Sequence, residues 1–225
     1  MVTAAISKLA KVEPPRLPDA TIAYVPAYQD QLNNIQRLYY NRLSGNMNNL
    51  VGESGGRFLQ FPYAAVQRTT DLNFAAANTA TQVTFNVNDY LNATANDGTD
   101  GIEVTYSGIY NYQFSVQFAN TDSQIHTAYL WLRVNGVDLA GTGSKFDVPN
   151  KHGSSDGYLI ATCNFYVSLN AGDTVELWGA GSQVENGVTD GIYMEAYAAQ
   201  TTPFAMPSIP SAVATLSFVS SLPGA

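Results

Sequence analysis

One cysteine, two histidines and ten lysine or arginine residues are all the sulfhydryl, imidazole and positive charge in this chain of 225 residues. The lone Cys163 excludes an intramolecular disulfide, so the fold has to hold through its packing. Within "YLIATCNFYVSL" this cysteine reads as a small buried apolar residue rather than a reactive thiol. The few cations face 18 aspartates and glutamates, giving a formal net charge of −8. Neutralising phosphates takes clustered Lys and Arg, so no nucleic-acid partner is expected. No segment approaches the roughly 20 apolar residues needed to span a bilayer as a helix, and no membrane partner is expected. The first residues, "MVTAAISKLAKVE", lack the apolar run of a secretory signal. The chain is therefore expected to be made in the cytosol and to stay there until a larger assembly carries it out.

The scarcity of histidine also limits catalysis. A Ser-His-Asp arrangement would have to combine His126 or His152 with Ser154 or Ser155 and with Asp147 or Asp156. No G-x-S-x-G elbow accompanies either histidine, and His152 lies in the polar loop "VPNKHGSSDG". No catalytic residue is assigned, and the chain reads as a non-enzyme. Two acidic pairs, Asp97 with Asp100 in "NDGTDG" and Glu185 with Asp190 in "VENGVTDG", have oxygen ligands suited to calcium or to a place beside a sugar. Turn chemistry alone demands the same residues, and the EF-hand pattern is incomplete, so no metal site and no cofactor are assigned. "GTGSK" at 141–145 lacks the spacing of a phosphate loop and reads as a hairpin between strands.

What the chain has in abundance is aromatic and small polar residues. Aromatics make up 12% of it, as much as all charged residues together, a balance that suits a β-rich protein. The length fits either one large all-β domain or a domain of about 150 residues with an attached arm, and the local pattern favours the second. Residues 1–27 read as an extended N-terminal arm, because Pro14, Pro15, Pro18 and Pro26 remove donors and disfavour helix before them. Such an arm either dangles or lies along a surface, and the apolar "TIAYV" favours docking. Residues 28–52 form the one helical stretch. At 100° per residue, Tyr28, Leu32, Ile35, Tyr39, Leu43, Met47 and Leu50 fall in one stripe. Their eleven-residue recurrence suits a nearly straight or slightly right-handed bundle, with Gly45 a candidate break. Such a stripe serves either packing on its own domain or self-association and anchoring. A Gly-rich joint follows at 53–56, and the head occupies 57–222.

From Arg57 the period changes to two. Ten strands are expected: "RFLQFPYAAVQ", "TQVTFNV", "GIEVTY", "GIYNYQFSVQF", "HTAYLWLRV", "SKFDV", "GYLIATCNFYVSL", "DTVELWGAG", "GIYMEAYAA" and "SAVATLSFVS". Many short strands with regular turns imply an all-β jelly-roll sandwich of antiparallel strands. Asn135-Gly136 and Asn186-Gly187 carry the hairpin chemistry of two successive positive-φ residues. The expected core is Tyr110, Tyr112, Phe114, Val116, Phe118, Leu130, Leu132, Phe165, Val167, Val175, Leu177, Leu216 and Phe218. Several strands are apolar on both faces: Tyr158, Ile160 and Tyr166 oppose the core side of one, Tyr129 and Trp131 that of another. A sandwich covers one face per sheet, so the second apolar face calls for a neighbouring subunit.

"GIYNYQFSVQF", "LWLRVNGVDLAGTGSK", "NFYVSLNAGDTVELW" and the closing "SAVATLSFV" together resemble the jelly-roll head of complement globular domains and the tumour-necrosis-factor superfamily. More closely, Arg57 to Val219, with "FLQFPYAAVQ" ahead and "PSIPSAVATLSFV" behind, resembles the heads of virion structural proteins of tailed cyanobacterial phages. The resemblance implies a homotrimer, with Asn111, Gln113, Gln117, Tyr129, Trp131, Tyr166, Tyr193 and Tyr197 as candidates for its axis. It also implies a place on the virion surface, after synthesis in the host cytoplasm. The expected role is a capsid decoration knob or cement protein held to the major capsid protein, or another virion protein, through residues 1–52. The alternative is a tail-fibre or tail-associated receptor-binding protein that recognises the host surface. A host-surface glycan is the further partner left open.

Overall fold

The computed structural model describes residues 15–19, 22–51, 61–99 and 101–222. These fall into two compact units, the first holding the described residues up to Val51 and the second spanning Phe61–Leu222. The joint at 53–56, the first residues of the expected head at 57–60, and Asp100 lie outside the described residues.

In the first unit, helix α1 spans Pro26–Val51. Proline suits the opening turn because its missing N–H would be unpaired there anyway. The Val25 carbonyl accepts from the amides of Tyr28 at 3.1 Å and Gln29 at 3.2 Å, which starts the ladder two residues earlier than the stripe suggested. The helix runs through Gly45 without a break. Along the expected stripe Tyr28, Leu32, Ile35 and Tyr39 are half-buried, whereas Leu43 and Met47 stay exposed; the side chain of Leu50 lies outside the described residues. Leu38 and Tyr40, outside the stripe, are exposed as well. The arm residues Arg16, Leu17, Pro18 and Asp19 line a groove with Gln31 and Ile35, and the Tyr28 hydroxyl donates to the Pro18 carbonyl at 3.3 Å. This part of the arm therefore lies along its own helix.

The second unit is a sandwich of two antiparallel sheets, a jelly roll. Sheet A has six strands. Its path runs β10 (Gly157–Leu169), β6 (Gly108–Asn120), β13 (Ala212–Ser220), β1 (Tyr63–Arg68), β3 (Val87–Asn92), and β12 (Ile192–Met194) pairs with the end of β6. Sheet B has seven strands. Its path runs β4 (Thr94–Ala95), β5 (Ile102–Val104), β11 (Thr174–Gly181), β7 (His126–Val134), β8 (Val137–Asp138), while β2 (Thr81–Val83) pairs with β11 and β9 (Ser144–Val148) with β7. The longest ladder joins β6 to β10 in unbroken register from Gly108↔Leu169 to Asn120↔Gly157.

Alternation along β6 sends Tyr110, Tyr112, Phe114, Val116 and Phe118 into the space between the sheets, where all are buried. Leu130, Leu132, Val167, Val175, Leu177 and Leu216 are buried there too, and Phe165 and Phe218 pack against them partly covered. Each such side chain contributes roughly 1.5–3 kcal/mol of burial. The rings are interlocked: Phe74 stacks on Phe118 at 6.3 Å and Tyr110 meets Phe218 edge-on at 5.5 Å. Gly108 opens β6 because a Cβ there would collide with the Phe218 ring. Tyr110 hands its hydroxyl to the Tyr106 carbonyl at 2.7 Å, but the Tyr112 hydroxyl is buried without a partner, and burial pushes its ionisation far above the ordinary tyrosine range. An unpaired buried hydroxyl destabilises. Tyr112→Phe is therefore expected to stabilise the head by about 1 kcal/mol, read as a higher urea midpoint at unchanged slope. A lower midpoint would mean that the hydroxyl has a partner.

Three sequence expectations change. The ten expected strands become thirteen: β3 and β4 were not foreseen, β8 was expected only as the far arm of the Asn135-Gly136 hairpin, and "TQVTFNV" breaks after Val83, with Val87 opening β3. Asn135-Gly136 does form the two-residue β7–β8 hairpin, with φ of 51° and 77°, but Asn186-Gly187 does not form one. There the Asn186 side-chain oxygen caps the amides of Val188 and Thr189, and the flanking Val184↔Ile192 bridge is parallel. "GTGSK" is not a hairpin either. β8 and β9 both pair antiparallel with β7, so the intervening residues interrupt one line of pairing without reversing it.

Candidate functional site

The outward face of sheet A is built by the residues that alternate with the core. By register, Tyr166, Asn111, Ser217 and Tyr63 form one row, and Asn164, Gln113, Thr215, Ala65 and Tyr90 the next. Thr162, Ser115 and Val213 form a third row, and Ile160 stands beside Gln117. Small side chains in the middle leave an open depression of about 530 Å³ lined by Gln113, Ser115, Thr162, Asn164, Val213 and Thr215. Along β10 it is flanked by Ile160, 62% exposed, and Tyr166, 70% exposed; Tyr158 and Tyr90 are bare on the same face. Large apolar side chains left this open around a shallow cup are characteristic of an interface.

At the β12 end of this face four polar aromatic and acidic groups meet. The Tyr197 hydroxyl donates to that of Tyr158 at 2.9 Å, and the Tyr193 hydroxyl donates to Glu195 Oε1 at 2.8 Å. Burial raises the ionisation of both Tyr193 and Tyr197, the first reinforced by the Glu195 carboxylate and the second by Tyr158, so both remain protonated donors at neutral pH. Glu195 Oε2 is shielded from water without a hydrogen-bond partner, and so is Asn111 Oδ1 in the middle of the sheet. Gln117 donates to the Pro210 carbonyl at 3.2 Å.

The eight axis candidates do not share this face. Asn111, Gln113, Gln117, Tyr166, Tyr193 and Tyr197 belong to it, but Tyr129 and Trp131 stand on β7 and point outward from sheet B. Alternation along β6, β7 and β10 gives which residues leave the core, but it does not say which of two opposite surfaces they reach. Tyr158 and Ile160, whose direction the same alternation gives, belong with the sheet A group.

On sheet B, cross-strand pairing sets Trp131 opposite Trp178 and Arg133 opposite Glu176. The Arg133 guanidinium sits 3.9 Å over the Trp178 ring and 5.9 Å over that of Trp131. Asp138 Oδ1 accepts from Arg133 Nε at 2.6 Å and from Trp131 Nε1 at 2.7 Å, and these bonds hold its carboxyl below the usual carboxylate range. Trp178 Nε1 donates to Glu176 Oε2 at 2.6 Å, while Glu176 Oε1 accepts from the Gly136 amide at 2.8 Å. The repeated order of tryptophan two residues from a charge in "LWLRV" and "VELW" was the available signal; the register that joins them was not.

The residues with catalytic or metal chemistry lie apart. His126 Nε2 is 2.7 Å from Asp122 Oδ2. His152 is exposed in a turn closed by backbone bonds with Ser155, and Asp147 accepts from the Thr127 hydroxyl at 2.8 Å. Asp97 closes its own turn on Thr99, and Glu185 accepts from the Gly187 amide. Among the described residues no group of three or more His, Cys, Asp or Glu is placed to hold a metal ion.

No family model matches the chain, and no curated protein matches it. Among solved structures it is similar to the Eiger TNF from S. frugiperda, at 11% identity and a TM-score of 0.45, over 72% of this chain and 95% of that one. It is also similar to the globular domain of zebrafish complement 1qA protein, at 15% identity and a TM-score of 0.38, over 71% of this chain and 98% of that one.

Proposed function

We propose that the chain is a non-enzymatic surface protein of a tailed-phage virion, a homotrimer that decorates the capsid as a knob or cement protein. The observation that carries the self-association is the outer face of sheet A. Ile160, Tyr166, Tyr158 and Tyr90 lie bare on it. A second copy laid on this face covers the rings. The sequence resemblance to phage head proteins carries the virion. The exposed Leu43 and Met47 on α1 give the anchor an apolar strip with which residues 1–52 grip the major capsid protein or a virion partner.

Light scattering of the purified chain at micromolar concentration tests the assembly: three copies are expected, and a monomer would overturn it. Placement is tested by locating the protein's density in an intact particle, where a position on the capsid shell is expected. Density at the tail tip would favour the receptor-binding reading, for which the aromatic outer face of sheet B is the specific support.

A further inference from the structure

An open groove of about 550 Å³ lies on the outer face of sheet B, between β7 and the loop that joins β8 to β9. Tyr129 and Trp131, two positions apart on β7 and so on one face, form its aromatic side. The loop carrying Gly141 forms another side, and Asp138, Ser144 and Lys145 supply polar groups. We propose that this groove is a binding site for a neutral saccharide.

The chemistry of the lining selects that class. A pyranose ring presents a face of C–H groups, which packs on the electron-rich face of an aromatic ring, and an equator of hydroxyls, which needs donors and acceptors. Tyr129, 40% exposed, and the half-buried Trp131 offer the ring surfaces. Gly141 and Gly143 are exposed and nothing lies within 4 Å of where a Cβ would stand on either, so a ligand can approach the loop closely. The charged residues that line the groove, Asp138 and Lys145, are one of each sign. With no net charge to match, the complementary occupant is uncharged.

The site is also built before any ligand arrives. The Thr142 hydroxyl donates to the Leu139 carbonyl at 2.7 Å and accepts from the Leu132 amide at 3.0 Å, pinning the loop to β7. The Trp131 indole is fixed by its bond to Asp138. Little ordering is left for binding to oppose. The groove is on the sheet opposite the proposed contact between copies, so the inference stands whether or not the chain trimerises.

Both tryptophans of the chain, Trp131 and Trp178, belong to this cluster, so indole emission excited beyond the tyrosine absorption band reports on it. The full chain is titrated with maltohexaose, cellohexaose and chitohexaose. A saturable change in indole emission is expected with at least one of them. Tyr129→Ala and Lys145→Ala, both at exposed positions that keep the two reporters, are each expected to weaken it about tenfold. Tyr166→Ala, on sheet A, should leave the titration unchanged even if it alters the mass in solution, which separates failure of the site from failure of the assembly. The proposal is overturned by no saturable response to any of the three sugars at millimolar concentration. Unaltered binding by Tyr129→Ala overturns it too, as does a change in oligomeric mass caused by Tyr129→Ala, which would make the groove a contact between copies.

Discussion

A chain carrying Ile160→Arg together with Tyr166→Arg is expected to run as a monomer in light scattering under conditions where the unaltered chain gives a trimer. Both side chains are more than half exposed in the isolated chain, at 62% and 70%, so replacing them leaves the core and every described hydrogen bond of the head in place. In the assembly they would lie under a neighbour. An arginine buried there without a carboxylate loses its hydration at a cost of several kcal/mol, and each 1.4 kcal/mol or so is a factor of ten in affinity. With the lesion repeated in every copy, association should weaken by several orders of magnitude. Unchanged far-ultraviolet circular dichroism and indole fluorescence would certify the fold. A doubly substituted chain that still assembled would move the contact off sheet A.

The second large effect lies in the core. Phe118→Ala is expected to destabilise the head by about 3–5 kcal/mol, the range for truncating a buried aromatic. Phe118 is 1% exposed, stacks on Phe74, and sits on the strand that pairs with β10, β13 and β12. Its partners in register, Leu159 of β10 and Met194 of β12, are held by their own ladders, so the void can close only in part. At roughly 2–4 °C per kcal/mol for a domain of this size, the thermal midpoint should fall by roughly 6–20 °C. A shift of a degree or two would show that the packing at this point collapses freely.

Much of this was legible in the alternation of the long strands. "GIYNYQFSVQF" and "GYLIATCNFYVSL" carry rings and aliphatics on one side over most of their length, and burial follows that pattern residue by residue. β3 was not legible, because its "VNDYLN" is polar for a physical reason. It lies at one edge of sheet A, pairing only with β1, and four of its six residues are exposed, so it has little apolar face to bury. The "GTGSK" loop was misread because glycines mark a departure from pairing without saying whether the chain turns back. The candidate surfaces were half legible. Period two told which side chains leave the core, but Tyr129 and Trp131 were grouped with Tyr166 because local pattern does not distinguish one sheet's exterior from the other's. The guanidinium between two indoles needed the Trp131↔Trp178 register, which is a tertiary fact.

The first and last strands of the head are neighbours in sheet A. Tyr63 pairs with Ser217, and the Phe218 amide donates to the Pro62 carbonyl at 2.9 Å. The backbone therefore enters and leaves the sandwich side by side. Such a unit can be spliced whole into a surface loop of an unrelated scaffold, or have its ends joined and be reopened elsewhere, without stretching either partner. The head of this chain is in that sense a portable cassette, and residues 61–222 are the segment to graft.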